Sequence, residues 1–401
     1  MYRILTFSNA IVFILFACQA TFAAEPKVTI NSDFPGGNIV VVENRGAEIE
    51  VKPRLDGGRD WFYWCFEATA ETPGKVTFNF PPALAKHKNG AVGHQGPAVS
   101  TDGGSNWRWM GNDTAIVQGR SFTYTFKEAG ESVRLAVTIP YVQTTFEDFA
   151  KRHADNPNFK TSILNRTPKG RNVELVQIGE EHPQATAVLF TGRHHACETI
   201  ASYFLEGVME EAMSDSPAGV AFREKYVLYV VPFVDKDGCE DGDQGKGRTP
   251  HDHNRDYGPK SIYPTVQAIM ELGEYKNVCA SIDFHCPTLV YPDHQVIYFA
   301  GPTDLPAHNH DAVKQLAKNI KSELPKGSPA GPLVWMKKTD DERKTHNNGH
   351  FALRPDCLIA ATIEVPFAPK NTVMTQDAIR SYGKAMLRAW NVTDFAAIKT
   401  K

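Results

Sequence analysis

The sequence predicts an α/β protein with a mixed, mostly parallel sheet and helices on both faces, preceded by an all-β sandwich domain. Up to about residue 140, short runs of alternating apolar and polar residues are separated by Gly, Pro and Asn, which is typical of sandwich strands. Beyond that point, apolar strand-like runs alternate with amphipathic helical stretches, as in an open parallel sheet. The chain of 401 residues is long enough for two domains. We predict a leader at residues 1–24, the sandwich at 25–141 and the α/β domain at 142–401.

The first residues are typical of an export signal. Arg3 supplies a short positive region, residues 11–17 an apolar core, and residues 20–24 a cleavage zone rich in small residues. The apolar run is too short to span a membrane. We therefore expect a periplasmic or secreted protein. In the alternative, residues 15–18 form a lipoprotein signal and Cys18 carries a lipid anchor, although the bulky residue before the cleavage point disfavours this.

Composition excludes some classes of partner. The formal net charge is −3, and removal of the leader with Arg3 makes it −4, so a nucleic-acid partner is not expected. Of seven cysteines, six follow the leader, and none forms a CxxC pair. We interpret most of them as buried thiols, and a disulfide involving Cys197, Cys239 or Cys286 is left open.

Periodicity gives the individual elements. A Thr cap followed by acids begins the first helix at Thr145, and apolar residues at helical spacing mark the helix that follows Glu198. The predicted sandwich strands are residues 39–42, 48–51, 75–80, 121–126 and 133–139. The α/β domain is predicted to contain strands 173–178, 185–191, 226–234, 280–285 and 358–365, and helices 145–152, 198–213, 261–275, 308–324 and 376–390.

Three residues at strand ends predict a metal site. His195 and Glu198 are three residues apart at the end of the apolar run 187–191, and His285 ends another strand-like run. Because the carboxyl ends of parallel strands meet at one edge of a sheet, the three side chains are expected to lie together. Two nearby ligands and one distant ligand, with one position left for water, are typical of catalytic zinc.

Two further features suit hydrolysis of a peptide at its end. Asn254 and Arg255 offer hydrogen-bond donors that match a free carboxylate, although Arg255 in a solvated loop would pair with Asp252 or Asp256 instead. Glu364 is a single carboxylate in an apolar strand, where a charge is costly unless it has a purpose. Beside a zinc-activated water, Glu364 would act as the general base and then as the acid.

The ordered set of motifs resembles the carboxypeptidase A type zinc metallocarboxypeptidases over roughly residues 142–395. The matching segments are residues 195–198, 230–238, 254–255, 283–285 and 362–364. The sandwich, which ends at Ile139-Pro-Tyr141, is similar in layout to the cytosolic carboxypeptidase subfamily. The resemblance implies one Zn²⁺ per chain bound by His195, Glu198 and His285, a carboxylate clamp of Asn254 and Arg255, and Glu364 as general base.

The resemblance also implies an arginine that polarises the scissile carbonyl, and Arg248 is the arginine in the expected segment. The chain departs from the family pattern where a mobile active-site tyrosine is expected, because residues 336–351 contain no tyrosine. His346 or His350 would replace that hydroxyl at the substrate, unless both belong to a solvated loop. His194 directly precedes His195 and is a rival ligand, but only His195 has the carboxylate at the family's spacing.

The sequence thus predicts an exported, zinc-dependent carboxypeptidase that acts on peptides with a free terminal carboxylate. One alternative is an amidase of cell-wall stem peptides or a deacylase of small acylated amino acids, both using the same zinc site. Another is a peptide-binding relative with little catalytic activity, which the missing tyrosine favours and Glu364 disfavours.

Overall fold

The computed structural model of the protein describes residues 25–57, 61–81, 90–111, 116–117, 119–289, 292–336, 344–369 and 371–399. The predicted leader and Cys18 lie outside the described residues. Within them, no helix combines the length and apolar character that crossing a bilayer requires.

The amino-terminal part consists of two five-stranded sheets. One has the order β1-β4-β10-β6-β7 and is antiparallel throughout, and the other has the order β2-β3-β5-β9-β8. The strands are β1 (Lys27–Asn31), β2 (Val40–Asn44), β3 (Glu48–Lys52), β4 (Cys65–Thr72), β5 (Gly74–Asn79), β6 (Ala98–Ser100), β7 (Arg108–Trp109), β8 (Ile116–Val117), β9 (Ser121–Phe126) and β10 (Ser132–Ala136).

One pair in the second sheet differs from the antiparallel pairs beside it. Strands β3 and β5 are parallel, because the intervening β4 belongs to the other sheet and the chain returns in its original direction. The space between the two sheets is filled by aromatic rings, including Trp64 stacked on Phe122 with ring centroids 5.5 Å apart. Phe66 and Phe78 join them from opposite sheets, so the alternating pattern of the strands faces this core.

The second part is built on an eight-stranded mixed sheet with the order β11-β12-β14-β13-β15-β18-β16-β17. Its four central neighbours, β14, β13, β15 and β18, are mutually parallel, and antiparallel pairs flank them. The strands are β11 (Phe159–Arg166), β12 (Asn172–Ile178), β13 (Thr186–Gly192), β14 (Tyr226–Val231), β15 (Ala280–His285), β16 (Tyr298–Pro302), β17 (Val334–Met336) and β18 (Ile359–Glu364).

Helices pack against this sheet, which confirms the predicted fold class. They are α1 (Gln143–Arg152), α2 (Ile200–Met213), α3 (Pro217–Arg223), α4 (Lys236–Asp241), α5 (Pro264–Tyr275), α6 (Ala307–Glu323), α7 (Asn347–Ala352), α8 (Gln376–Asn391) and α9 (Phe395–Lys399). The predicted boundary near residue 142 falls between β10 and α1.

Three neighbouring parallel strands place the predicted site residues at one edge of the sheet. Strand β13 is buried over its last five residues and β15 over its full length, so both are fixed within the core. In the register of the sheet, His285 is opposite Glu364 at the carboxyl ends of β15 and β18. The turn after β13 carries His195, so its side chain reaches the same edge.

Helices α2 and α8 approach each other so closely that side chains are excluded at two glycines. A Cβ atom at Gly207 would lie 1.9 Å from the Arg380 carbonyl oxygen, and one at Gly383 would lie 2.0 Å from the Phe204 carbonyl oxygen. Atoms cannot approach to these distances, so the helices would have to separate to admit a methyl group.

We predict that Gly383→Ala lowers the free energy of unfolding by about 1–3 kcal/mol through this clash, although helix propensity alone would favour alanine by about 1 kcal/mol. Denaturant unfolding followed by circular dichroism measures the change. Ser381→Ala, two positions away on α8, is the matched control and should shift stability by less than about 0.5 kcal/mol. A more stable Gly383→Ala variant would contradict the close helix contact.

Candidate metal centre and active site

His195, Glu198 and His285 converge in the interior and are called the metal cluster below. The His195 Nδ1 atom lies 3.0 Å from Glu198 Oε1 and 3.0 Å from His285 Nδ1, and His285 Nδ1 lies 2.7 Å from Glu198 Oε2. All three residues are buried. Three potential ligand atoms therefore surround one point at the carboxyl edge of the sheet.

The metal cluster fits zinc. Ligand atoms of a tetrahedral zinc ion with bonds of about 2.0–2.1 Å lie roughly 3.3 Å apart, close to the spacing observed here. The donor set, two imidazoles and one carboxylate, is one that catalytic zinc uses. In addition, His285 Nε2 lies 2.5 Å from Asp283 Oδ2, and His195 Nε2 lies 3.6 Å from Asp252 Oδ1. A proton on each Nε2 leaves each Nδ1 lone pair directed at the metal.

Asp283 is the centre of the polar network behind the metal cluster. Besides His285, its carboxylate contacts His194 Nδ1 at 2.7 Å and accepts a hydrogen bond from Thr191 Oγ1 at 2.9 Å. Burial raises the pKa of Asp283, but His194 and His285 lower it more, so its net pKa is below the ordinary value. His194 also meets the Tyr257 hydroxyl at 2.7 Å. It thus contacts Asp283 and Tyr257 while His195 faces Glu198.

Glu364 lies beside the metal cluster at the end of β18. Its Oε2 atom is buried and has no hydrogen-bond partner within the described part of the chain. Burial is the main cause that raises the pKa of Glu364, and Glu198 adds to it, whereas His285 and Lys246 oppose it. An unpaired buried oxygen of raised pKa is suited to accept and return a proton.

Lys246, which was not selected from the sequence, places a cation at the metal cluster. Its Nζ atom lies 2.9 Å from Glu198 Oε1. Burial lowers the pKa of Lys246, but Glu198 and Glu364 contribute to raising it, and the net pKa is above the ordinary value. No motif marks this lysine; its position two residues before Arg248, in the segment expected to supply a cation, was the available signal.

Arg248, which was predicted to polarise the scissile carbonyl, lies among three carboxylates. Its guanidinium is held by Asp56 and Asp235, both at 2.7 Å, and by Asp243 at 2.9 Å. Each of these three carboxylates contacts a different nitrogen of the guanidinium. Lys246, rather than Arg248, is the cation in contact with Glu198, and the predicted polarising role of Arg248 stays a prediction.

Asn254 and Arg255, which were predicted as one clamp, have different partners in the structure. The Asn254 amide nitrogen lies 3.1 Å from Asp283 Oδ2 and 2.9 Å from His285 Nε2, and its oxygen accepts from the Asn347 backbone at 3.0 Å. Asn254 therefore supports the metal cluster from behind. Arg255 is partly exposed. Its Nη1 donates to the Asn254 carbonyl at 2.8 Å and lies 3.8 Å from Asp252 Oδ1, whereas its Nε and Nη2 have no partner among the described residues.

Arg255 borders a cleft of about 870 Å³ whose lining includes Tyr257, Met270, His350 and Leu353. The His350 ring lies 5.6 Å from Tyr257, and its buried Nε2 has no hydrogen-bond partner among the described residues. Burial, with a smaller contribution from Arg354, lowers the pKa of His350 and favours its neutral form. His346, by contrast, is buried just before α7 and does not line the cleft. Residues 337–343 of the same loop lie outside the described residues.

Tyr298 was also missed. It stands opposite Glu364 in the register of β16 and β18. Burial, together with Glu364 and Glu198, raises the pKa of its phenol well above the ordinary value, so the group remains a hydrogen-bond donor. It gives this edge a tyrosine that the loop at 336–351 lacks. The six described cysteines, including Cys197 and Cys286 beside the metal cluster, are free thiols.

We predict that Asp283→Asn weakens zinc affinity about 10–100-fold, because the carboxylate that orients His285 is lost while the ligands remain. Competition with a chelating dye measures the affinity. The control is Asp237→Asn, which removes a carboxylate paired with Arg171 at 2.9 Å instead. Equal losses in both variants would contradict a specific role for Asp283.

Comparison with known proteins gives matches in sequence and in structure. Residues 146–259 match the zinc carboxypeptidase family model. Human cytosolic carboxypeptidase 1 is 26% identical over 293 residues, which cover 61% of this chain and 24% of that protein. The chain therefore spans about a quarter of the length of this relative. An uncharacterised protein of Zymomonas mobilis is 23% identical over 356 residues, covering 84% of this chain and 87% of that protein.

Among solved structures, the fold is similar to that of a metallo-carboxypeptidase from Burkholderia cenocepacia, with a TM-score of 0.77 and 18% identity over 92% of this chain and 99% of the other. It is also similar to a Pseudomonas aeruginosa metallo-carboxypeptidase in complex with (2-guanidinoethylmercapto)succinic acid, with a TM-score of 0.76 and 19% identity over 91% and 98%. The matched family model and the relatives agree with the metal cluster, and residues 146–259 are similar to the zinc carboxypeptidase family.

Proposed function

We propose that the protein is an exported zinc carboxypeptidase that removes the terminal residue from peptides with a free carboxylate. The observation that carries this proposal is the meeting of three zinc-type ligands with Glu364, whose buried Oε2 has no hydrogen-bond partner among the described residues, at one sheet edge. Such an arrangement supplies a metal position and a proton acceptor next to each other, which hydrolysis of an amide requires.

His195, Glu198 and His285 would hold the zinc, which when bound lowers the pKa of water and polarises a carbonyl. Glu364 would take a proton from the attacking water at its unpaired Oε2 and then deliver it to the nitrogen of the departing amino acid. Lys246 would place its ammonium near the oxygen that gains negative charge as the carbonyl is attacked. Asp283 and Asn254 would keep His285 in the orientation that binds metal.

Arg255 is the residue that we assign to the substrate's terminal carboxylate. Its partly exposed guanidinium borders the cleft, where a carboxylate can be bound by parallel hydrogen bonds. The cleft would then receive the side chain of the departing residue, and its apolar members Met270 and Leu353 favour an apolar or partly polar group. The compound in the Pseudomonas complex carries two carboxylates and is a suitable probe of this site.

Export rests on the leader motif in residues 1–24 alone. Cell fractionation of the expressed full-length chain tests it, because a processed protein should appear outside the cytoplasm. Cys18→Ala should leave that distribution unchanged if the leader is an ordinary signal, and should release the protein from membranes if Cys18 carries a lipid.

We predict that Glu364→Gln lowers kcat about 10²–10⁴-fold, because the isosteric amide cannot accept the proton. Zinc should remain near one ion per chain, as measured by atomic absorption. Hydrolysis of defined peptides and of cell-wall muropeptides, with products identified by mass, also separates a carboxypeptidase from an amidase. Loss of zinc from the Glu364→Gln variant would instead make Glu364 a ligand or a structural residue.

We predict that Arg255→Met lowers kcat/KM about 10–100-fold for peptides with a free carboxylate, since charge-assisted hydrogen bonds contribute about 1.5–3 kcal/mol. Affinity for (2-guanidinoethylmercapto)succinic acid should fall in parallel. The matched control is Arg171→Met, which removes an arginine that pairs with Asp237 and Asp241 instead. An unchanged preference for free over amidated peptide ends would refute the role of Arg255.

A further inference from the structure

The loop that carries Lys246 is anchored by the sandwich. The Asp56 carboxylate accepts hydrogen bonds from the Gln244 backbone at 2.7 Å, from the Gly245 backbone at 3.1 Å and from Arg248 Nε at 2.7 Å. One sandwich side chain therefore fixes the residues on both sides of Lys246.

Gln244 completes this anchor in the interior. Its side chain accepts from the Tyr63 backbone nitrogen at 2.7 Å and donates to the Tyr63 carbonyl at 2.8 Å, so it pairs with the sandwich as a strand would. Its own carbonyl accepts from the Cys197 backbone at 3.2 Å. The loop is thus held between the sandwich and the turn that carries His195 and Glu198.

Gly245 brings the loop into backbone contact with that turn. A Cβ atom at Gly245 would lie 2.3 Å from the Ala196 nitrogen, and its φ of +75° is one that other residues rarely adopt. The position of Lys246 relative to the metal cluster is therefore fixed by main-chain packing as well as by hydrogen bonds.

Trp61 contributes the sandwich's direct contact with the ammonium. The Lys246 Nζ atom lies 4.9 Å from the centroid of the Trp61 ring, and the indole nitrogen donates to Cys197 Sγ at 3.1 Å. The ring also stacks on Phe62, which meets Phe367 edge-on at 5.4 Å. The sandwich residues Trp61 and Phe62 thus contact segments at both parts of the site. Trp61 contacts Cys197, which follows His195, and Phe62 contacts Phe367, which follows Glu364.

We propose that the sandwich completes the active site, with Asp56 and Trp61 as positioning residues that hold the Lys246 ammonium at the metal cluster. When a divalent cation binds Glu198, the carboxylate's charge is shared and its hold on Lys246 weakens. The Trp61 ring and the anchored loop then retain the flexible lysine side chain against solvent. The catalytic consequence rests on the proposed carboxypeptidase activity, whereas the positioning itself does not.

A double-mutant cycle between Trp61→Leu and Lys246→Met in the full chain tests this coupling. We expect Trp61→Leu to lower kcat about 10-fold with a change in KM below about threefold, and to have no further effect when Lys246 is already methionine. Trp61→Phe, which keeps an aromatic face, should restore most of kcat. Trp107→Leu is the matched control, because this equally half-buried sandwich tryptophan donates to the Gly104 carbonyl and should leave kcat within about twofold.

A second double-mutant cycle measures the affinity of the metal-free protein for zinc and does not depend on catalysis. Removal of the competing cation by Lys246→Met should tighten zinc binding several-fold, and Trp61→Leu should tighten it less, with no added effect in the double variant. Independent, additive effects on zinc affinity, or equal effects of Trp61→Leu and Trp107→Leu, would overturn the proposal. If the wild-type protein cleaves no peptide, the proposed function fails, while the zinc cycle still decides whether Trp61 positions Lys246.

Discussion

Two imidazole nitrogens and a carboxylate converge within 3.0 Å of one another in the interior of this protein, and burial of such groups is unfavourable unless each atom has a partner. The surrounding residues supply partners for several of these atoms. Asp283 and Asp252 face the outer nitrogens of the two histidines, and Asn254 contacts both Asp283 and His285. The inner atoms face one another, with the Lys246 ammonium as a further contact of Glu198 Oε1, and a divalent cation is the partner that satisfies all three residues together.

The parallel strands determine the relative positions of these side chains, whether or not a ligand is bound. The three strand ends are neighbours because β13, β15 and β18 are hydrogen-bonded in parallel, so residues distant in sequence reach one edge. This is why the convergence of His195, Glu198, His285 and Glu364 at one edge could be predicted: apolar runs specify the strands, and the spacing of His195 and Glu198 is local. The central parallel strands and the long helices of the α/β domain were predicted for the same reason, whereas the mostly exposed edge strand β11 was missed.

Other features depend on contacts that sequence patterns do not encode. Strands such as β7 and β8 contain two residues and have no detectable period. The parallel pairing of β3 with β5 follows from where β4 is placed. Arg248 was chosen because the resemblance implies an arginine in this loop, and Lys246 was missed because no motif marks it. The surroundings of the two residues depend on distant contacts, since Asp56 of the sandwich holds Arg248 and Glu198 contacts Lys246. Likewise, Asn254 and Arg255 are adjacent in sequence but have different partners, since Asn254 contacts Asp283 and His285 whereas Arg255 lies near Asp252 and borders the cleft.

Arg255 and the cleft are built from the segments around residues 251–261 and 344–353, whereas Trp61 and Lys246 come from the sandwich and the loop beside it. Under the proposed function, a bound peptide would thus meet walls of separate origin on the two sides of its scissile bond. Substitutions of Met270 or Leu353 would alter which departing residue is accepted while the contacts of Lys246 with Trp61 and Glu198 stay in place. Substitutions of Tyr257 would act on both, because its hydroxyl contacts His194 beside Asp283.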